Sequence, residues 1–290
     1  MILLNGVPVM FETFPNGESK LIYQSILESV IDGENSLYFK YSEDGDLIKL
    51  MFVKEYLDSF EVYVSLVVGY MPYSRMDRTE DHSPFTLKYI ANFINKLNFS
   101  KVCIIEPHSD VTPAVIDNSF SYYINFDLLK LVENEIGFDK EKDYLFFPDA
   151  GAQKRYHSLK GYKQLVGYKH RDFNTGEIKS LDVVGEYPSN ASDSNIIIVD
   201  DLSSFGGTFL HSGNKLKELG FKNIYLLVAH CENSIFKGKL LQHGSPIKKI
   251  FTTNSIITST QNGWDDDYSD KLHIYNLEEI LWYYKKMEIY

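Results

Sequence analysis

Asp200 and Asp201 stand side by side within the stretch 195–219, NIIIVDDLSSFGGTFLHSGNKLKEL. Two adjacent carboxylates can accept bonds from sugar hydroxyls or meet a metal-bound sugar. Behind them runs the loop Ser203-Ser204-Phe205-Gly206-Gly207-Thr208. Its glycines let the backbone come close to a phosphate, so that N–H groups can wrap the anion. An amphipathic stretch follows, with Leu210, Leu216 and Leu219 toward one face, and its positive end would point at that anion. The plainer reading of the same residues is a strand–loop–helix corner whose acids only cap the helix.

Other stretches combine chemistry-bearing residues in the same way. Arg75, Asp77 and Arg78 follow a dense β-branched run at 62–69. Guanidinium groups suit polyphosphate because their donors are planar and bidentate, although an Arg–Asp pair also suits a plain surface loop. His108 sits in Glu106-Pro107-His108-Ser109-Asp110, behind the apolar run 101–105. Asp149 follows the strand-like run 144–147 in Pro148-Asp149-Ala150-Gly151-Ala152, where it also makes a good helix cap. Lys169, His170 and Arg171 end the run LVGYKHR, as a cationic site or a solvated strand end. Phe14-Pro15-Asn16-Gly17-Glu18 reads as a turn between extended pieces.

Those residues need strands to carry them and helices to cover the strands. The short run 195–199 reads as a buried strand, as do 36–40, 62–69, 101–105, 144–147, 223–229 and 250–257. Helical spacing appears at 46–60, with Leu47, Leu50, Met51 and Leu57 inward, and at 127–135. Ser83 is expected to cap a helix with Pro84 in its first turn and Phe85, Ile90, Phe93, Ile94 and Leu97 buried. The stretch 172–190 reads as a flap, 263–267 as an exposed acidic turn, and 277–287 as a closing amphipathic helix. His230 lies at another strand end, and Thr252, Thr253, Asn254 and Ser255 form the polar end of the 250–257 run. Each half thus repeats a strand–ligand loop–helix plan, with a link near 138–143. In open α/β sheets, ligands bind beyond the carboxyl ends of strands.

The 290-residue chain is long enough for about two domains. Its net charge of −11 argues against a nucleic-acid partner, which needs a basic surface, but leaves room for a nucleotide held by local cations. Two cysteines, Cys103 and Cys231, show no metal-like spacing and point to a reducing compartment. The opening MILLNGVPVM lacks a basic segment, and no apolar run approaches the ~18 residues of a membrane span. The expectation is a cytoplasmic protein, of a cell or of a virus that works in one, with no membrane partner.

Taken in order, the motifs resemble those of the ribose-phosphate pyrophosphokinases, the PRPP synthetases. Val-Asp-Asp-x-x-x-x-Gly-Gly-Thr at 199–208 looks like the phosphoribosyl-diphosphate loop that this family shares with type I phosphoribosyltransferases. Pro72-Tyr73-Ser74-Arg75-Met76-Asp77-Arg78 resembles the family's Pro-Tyr-x-Arg-Gln-Asp-Arg, which the transferases lack. The stretches around Phe14, His108, Asp149 and Lys169 are similar to family motifs too, so that the likeness runs from Phe14 to about Ile256. It implies an α/β fold of two type I phosphoribosyltransferase-like domains, each a mostly parallel sheet flanked by helices. Residues 1–142 would form the ATP side and 143–290 the ribose-phosphate side, with the last helix packing back on the first domain.

The resemblance also implies roles. Phe14, Asn16 and Glu18 would hold the adenine of an ATP bound to a neighbouring subunit, so a homodimer or larger homo-oligomer is expected. Arg75, Asp77 and Arg78 would form the ATP loop. His108 and Asp149 would organise Mg2+ with the ATP, and His108 counts with Lys169 and Arg171 among the catalytic residues. Asp200 and Asp201 would hold the ribose hydroxyls, and Ser203, Ser204, Phe205, Gly206, Gly207 and Thr208 the 5-phosphate. The implied reaction moves the β,γ-diphosphoryl group of ATP to the 1-hydroxyl of ribose 5-phosphate, giving PRPP and AMP.

Departures from the family pattern leave alternatives. Asn16 replaces Asp, Met76 replaces Gln, Glu106-Pro107 replaces Asp-Leu, and His170 replaces Arg. Ser204 and Phe205 stand where the family has Asp and Thr. The loop thereby loses a carboxylate and a hydroxyl and gains an aromatic face, which packs inward or meets a different acceptor. ADP-ribose, whose 5-phosphate is extended by a nucleotide, is the alternative acceptor. A phosphoribosyltransferase and an inactive regulatory subunit are the lesser alternatives.

Overall fold

Strands that lie parallel inside a sheet bury both faces and read as continuous apolar runs. The computed structural model describes residues 1–171, 178–188, 190–258 and 270–281, apart from the side chains of 170, 171, 178 and 179. Much of the expected flap, the acidic turn at 263–267 and the chain beyond 281 therefore lie outside the described residues. The chain divides into two compact units at Tyr123/Ile124.

The first unit contains β1 (Ile2–Leu4), β2 (Val7–Pro8), β3 (Phe11–Thr13), β4 (Ser19–Leu21), α1 (Gln24–Leu27), β5 (Asn35–Phe39) and α2 (Gly45–Asp58). It continues through β6 (Val64–Val68), α3 (Thr86–Lys96), β7 (Val102–Ile105), α4 (Val111–Val115) and β8 (Ser119–Tyr122). Six strands pair in the order β2-β1-β5-β6-β7-β8, and the last four run parallel. All four residues of β7 are buried, Cys103 among them. The strands β3 and β4 form a separate hairpin. Ser83 does not cap α3. Its hydroxyl donates to Glu80 O at 2.7 Å and accepts the Glu80 N–H at 3.0 Å, closing a turn ahead of Pro84, and the helix starts at Thr86. Leu87, Ala91 and Ile94 line the buried face, with Phe85, Ile90 and Phe93 half-buried beside them.

The second unit contains α5 (Asn125–Ile136), β9 (Tyr144–Phe147), α6 (Ala150–Arg155), β10 (Lys163–Arg171), β11 (Ile178–Val184), β12 (Asn195–Ser203) and α7 (Gly207–Glu218). Then come β13 (Asn223–Cys231), a 3-10 turn at Asn233–Lys237, β14 (Ile247–Thr253), β15 (Leu272–Tyr275) and a helical start at 277–281. The sheet order is β11-β10-β9-β12-β13-β14-β15, parallel except for β11. Ile196 to Val199 are completely buried, and burying such side chains stabilises by roughly 1.5–3 kcal/mol each. The division falls before α5 rather than near 138–143, because α5 packs on β13.

Two strand bounds shift in ways that matter. β12 runs on to Ser203, because Leu202 and Ser203 stay in register with His230 and Cys231 of an equally extended β13. The two acids are therefore strand residues and not loop residues. The run expected at 250–257 starts earlier and stops at Thr253. Among the described residues, no helix is long and apolar enough to cross a membrane.

Candidate active site

In the first unit, the chain leaves β6 at Gly69, where a Cβ would lie 2.6 Å from Tyr38 Oη. The following loop turns at Tyr73, which has φ +62°, a left-handed conformation uncommon outside glycine. Tyr73 Oη donates to Asp44 Oδ1, and Tyr41 Oη donates to the same oxygen at 2.6 Å. These hydroxyls hold the Asp44 carboxyl below its usual range, Tyr41 foremost. Beyond the turn Arg75 is exposed, while Asp77 is buried and accepts from Ser109 Oγ at 2.5 Å. That bond joins the arginine loop after β6 to the loop after β7, which carries half-buried His108. Arg78 turns outward and pairs with Glu80 at 2.7 Å. The β3–β4 hairpin presents exposed Phe14, Asn16 and Glu18 around Gly17, whose φ of +91° makes the turn.

The second unit gathers its charged residues at the carboxyl ends of β9, β10 and β12. Asp149 caps α6 by accepting the Ala152 N–H at 3.0 Å, and it also accepts from Lys169 Nζ at 2.9 Å. The cap expected of Asp149 is formed, and the ion pair with Lys169 is added to it. Burial works against its charged form, but Lys169, the Ala152 N–H and Arg155 outweigh it and keep the carboxyl below its usual range. The side chains of His170 and Arg171 lie outside the described residues.

Six-residue α6 ends at Arg155, which sequence reasoning missed. Arg155 Nη1 bridges Asp201 Oδ1 at 3.0 Å and Asp200 Oδ1 at 3.2 Å. The three side chains are 11%, 6% and 15% exposed. Breaking so enclosed a pair costs roughly 3–5 kcal/mol, because a buried charge loses its partner. The Arg155 guanidinium also lies 5.8 Å from the ring centre of fully buried Tyr156. Asn125 Nδ2 donates to Tyr156 Oη and to Asp200 O, both at 2.7 Å, and so ties α5 to the ring and to the strand. Burial and then the neighbouring Asp201 push the Asp200 carboxyl well above its usual range, with Arg155 opposing.

The loop after β12 is braced from outside. Gly206 has φ +82°, and a Cβ there would meet Leu240 Cδ1 at 2.1 Å. A Cβ on Gly238 would meet Phe205 O at 2.1 Å. Ser204 Oγ lies 3.0 Å from Ser234 Oγ, which donates to Glu232 Oε2 at 3.0 Å. Phe205 does not pack inward and is 58% exposed. Helix α7 begins at Gly207, and its first N–H groups lack partners within the helix. His230 is buried and bonds Ser255 Oγ at 2.8 Å, which suits a structural role.

Among the described residues, no group of three or more His, Cys, Asp or Glu side chains is placed to hold a metal ion. Mg2+ needs no such cage, since it takes one or two carboxylates with waters and substrate phosphates. Asp149, 45% exposed at its side chain, fits as one such donor.

No family model matches the chain. It is 30% identical over 261 residues to a ribose-phosphate pyrophosphokinase of Sulfurisphaera tokodaii, covering 86% of this chain and 84% of that protein. A ribose-phosphate pyrophosphokinase of Pyrococcus abyssi is 24% identical, covering 92% of this chain and 91% of its own length. Among solved structures, phosphoribosylpyrophosphate synthetase from Mycobacterium smegmatis matches with a TM-score of 0.69 at 16% identity. That match covers 97% of this chain and 89% of the other, and it bears on the fold alone.

Proposed function

The chain belongs to the ribose-phosphate pyrophosphokinase family, and from that premise we propose that it transfers the β,γ-diphosphoryl group of ATP to the 1-hydroxyl of a ribose 5-phosphate acceptor. The hydroxyl oxygen bonds to the β-phosphorus, the bond from the β-phosphorus to the α,β-bridging oxygen breaks, AMP leaves with that oxygen, and the hydroxyl proton is released. The observation that carries the reading is the cluster Asp149, Lys169, Arg155, Asp200 and Asp201 beside the loop 203–208.

In this proposal Asp200 and Asp201 accept the ribose hydroxyls, and the backbone of Gly206, Gly207 and Thr208 with the start of α7 holds the 5-phosphate. Lys169 and Arg171 stabilise the charge that moves during transfer, which is the main contribution a protein makes to phosphoryl transfer. Asp149 would hold the magnesium of Mg-ATP, which would neutralise the polyphosphate, and His108 would act on the ATP from the first unit. Arg75, Asp77 and Arg78 form the ATP loop, and Phe14, Asn16 and Glu18 meet the adenine of a neighbouring copy in a homo-oligomer.

A second acceptor, ADP-ribose, is favoured by the loop itself. Exposed Phe205 offers an aromatic face, and Glu232 stands behind Ser204 through Ser234. A carboxylate there disfavours a doubly charged phosphate monoester more than a phosphate within a diphosphate bridge, which carries a single charge.

The test is AMP formation from Mg-ATP with ribose 5-phosphate and ADP-ribose offered separately, and product masses recorded. Turnover of ribose 5-phosphate supports the first acceptor, and turnover of ADP-ribose alone supports the second. No AMP with either, but pyrophosphate release from PRPP and a base, would replace the reading with a phosphoribosyltransferase.

A further inference from the structure

We propose that Arg155 is the positioning residue of the acceptor site, fixing the Asp200–Asp201 pair in the geometry that receives the ribose hydroxyls. The proposal rests on the acceptor site as read above.

Two carboxylates on consecutive strand residues point to opposite faces unless something turns them together. Here one guanidinium nitrogen meets Oδ1 of both. Asp200 Oδ1 takes a second bond from the Asp201 N–H at 2.9 Å, so that its orientation is set by two donors. Arg155 is itself immobilised: it ends a helix started by the Asp149 cap, lies beside the Tyr156 ring and is almost wholly enclosed. Tyr156 in turn is held edge-on by Phe126 and face-on by Phe147, each at 6.0 Å between ring centres. The guanidinium cannot swing away without breaking two ion pairs.

The arrangement also determines the chemistry of the two acids. Two enclosed carboxylates side by side repel, and one of them would take up a proton and become a donor at that oxygen. A hydroxyl bound through its own proton needs an acceptor. The Arg155 charge favours the ionised pair. Arg155 bonds Asp200 and Asp201 directly and reaches Asp149 only through its charge, so its loss should weaken the acceptor far more than ATP.

The experiment titrates ribose 5-phosphate, and ADP-ribose in parallel, calorimetrically into full-length wild type, Arg155→Ala and Arg155→Lys. AMP-forming kinetics and melting curves are measured on the same samples. Arg155→Ala is expected to weaken acceptor binding roughly ten- to hundredfold, the scale of a lost charge-assisted hydrogen bond. The KM for Mg-ATP is expected to stay within about twofold. Arg155→Lys, which keeps the charge without the fork, is expected to fall between. Unchanged acceptor binding in a folded Ala variant, equal weakening of acceptor and ATP, or no advantage of Lys over Ala would each overturn the proposal. If the Ala variant does not fold, the Lys variant decides: weaker acceptor binding at an unchanged ATP KM supports it, and unchanged binding overturns it. A wild type that binds an acceptor without forming AMP would remove the diphosphokinase reading and leave the proposal to the binding data. A wild type that binds neither acceptor overturns it.

Discussion

Lys169 Nζ donates to Asp149 Oδ2 at 2.9 Å, so the lysine proposed for the transferred diphosphoryl group rests on the carboxylate that opens α6. The Lys169 side chain is 10% exposed, whereas that of Asp149 is 45% exposed and reachable from solvent. A cation bound by Asp149 would compete with Lys169 for the carboxylate.

Lys169→Ala is accordingly expected to lower kcat about 10²–10³-fold, the cost of removing one preorganised charge. It should also alter acid stability. Asp149 is held low, so its contribution is present above the ordinary carboxylate range and lost as pH falls through its folded value. Without Lys169 that contribution shrinks, and the melting-temperature difference between wild type and variant should narrow on acidification. A difference that stays constant from about pH 7 to about pH 3 would contradict this.

Asp200 is shifted the other way. Its raised carboxyl means that the acceptor KM should climb on acidification at a pH above the ordinary carboxylate range, while the Mg-ATP KM stays flat. The groups that set this limb are Asp201, Arg155 and Asp149. For stability, a raised acid favours the folded state below its ordinary value, and the gain is lost as pH rises through the folded value. Asp200→Asn escapes that loss, so its melting temperature should gain on wild type from about pH 4 to about pH 8.

Two neighbouring glycines should behave differently. Gly206→Ala meets Leu240 at 2.1 Å with φ +82°, and is expected to lose about 1–3 kcal/mol in urea unfolding. Adding Leu240→Ala should not restore it, because the positive φ remains. Gly207, where a Cβ would meet nothing within 4 Å, should tolerate Ala without loss of stability. There a raised acceptor KM would be the only mark of the substitution.

Ser109→Ala removes the donor to buried Asp77 and should cost about 1–3 kcal/mol. Because that bond joins the arginine loop to the His108 loop, the Mg-ATP KM should rise while acceptor binding holds. Equal rises for both ligands would argue against the ATP role of the loop.

The sheets were legible because parallel strands must be apolar on both faces, as 102–105, 144–147 and 196–199 are. The acids at 200–201 and the glycines behind them were legible from type and spacing. Arg155 was not, because nothing local marks a basic residue at a helix end as the partner of acids 45 and 46 residues later. Ser83 misled for a related reason: the hydroxyl that suits a cap was already used by its own turn. The bracing of Gly206 by Leu240 is a tertiary contact that no periodicity reveals.

Both cysteines of the sequence are buried and neither is in a disulfide, and burial pushes the Cys231 thiol up to about 12. Thiols react as thiolates, so maleimide and nitroxide reagents should find a nearly silent background on the native fold. A single new cysteine in place of exposed Phe205 or Phe14 would then carry the whole label. The protein is suited to fluorescence and paramagnetic distance measurements without first removing its own sulfur.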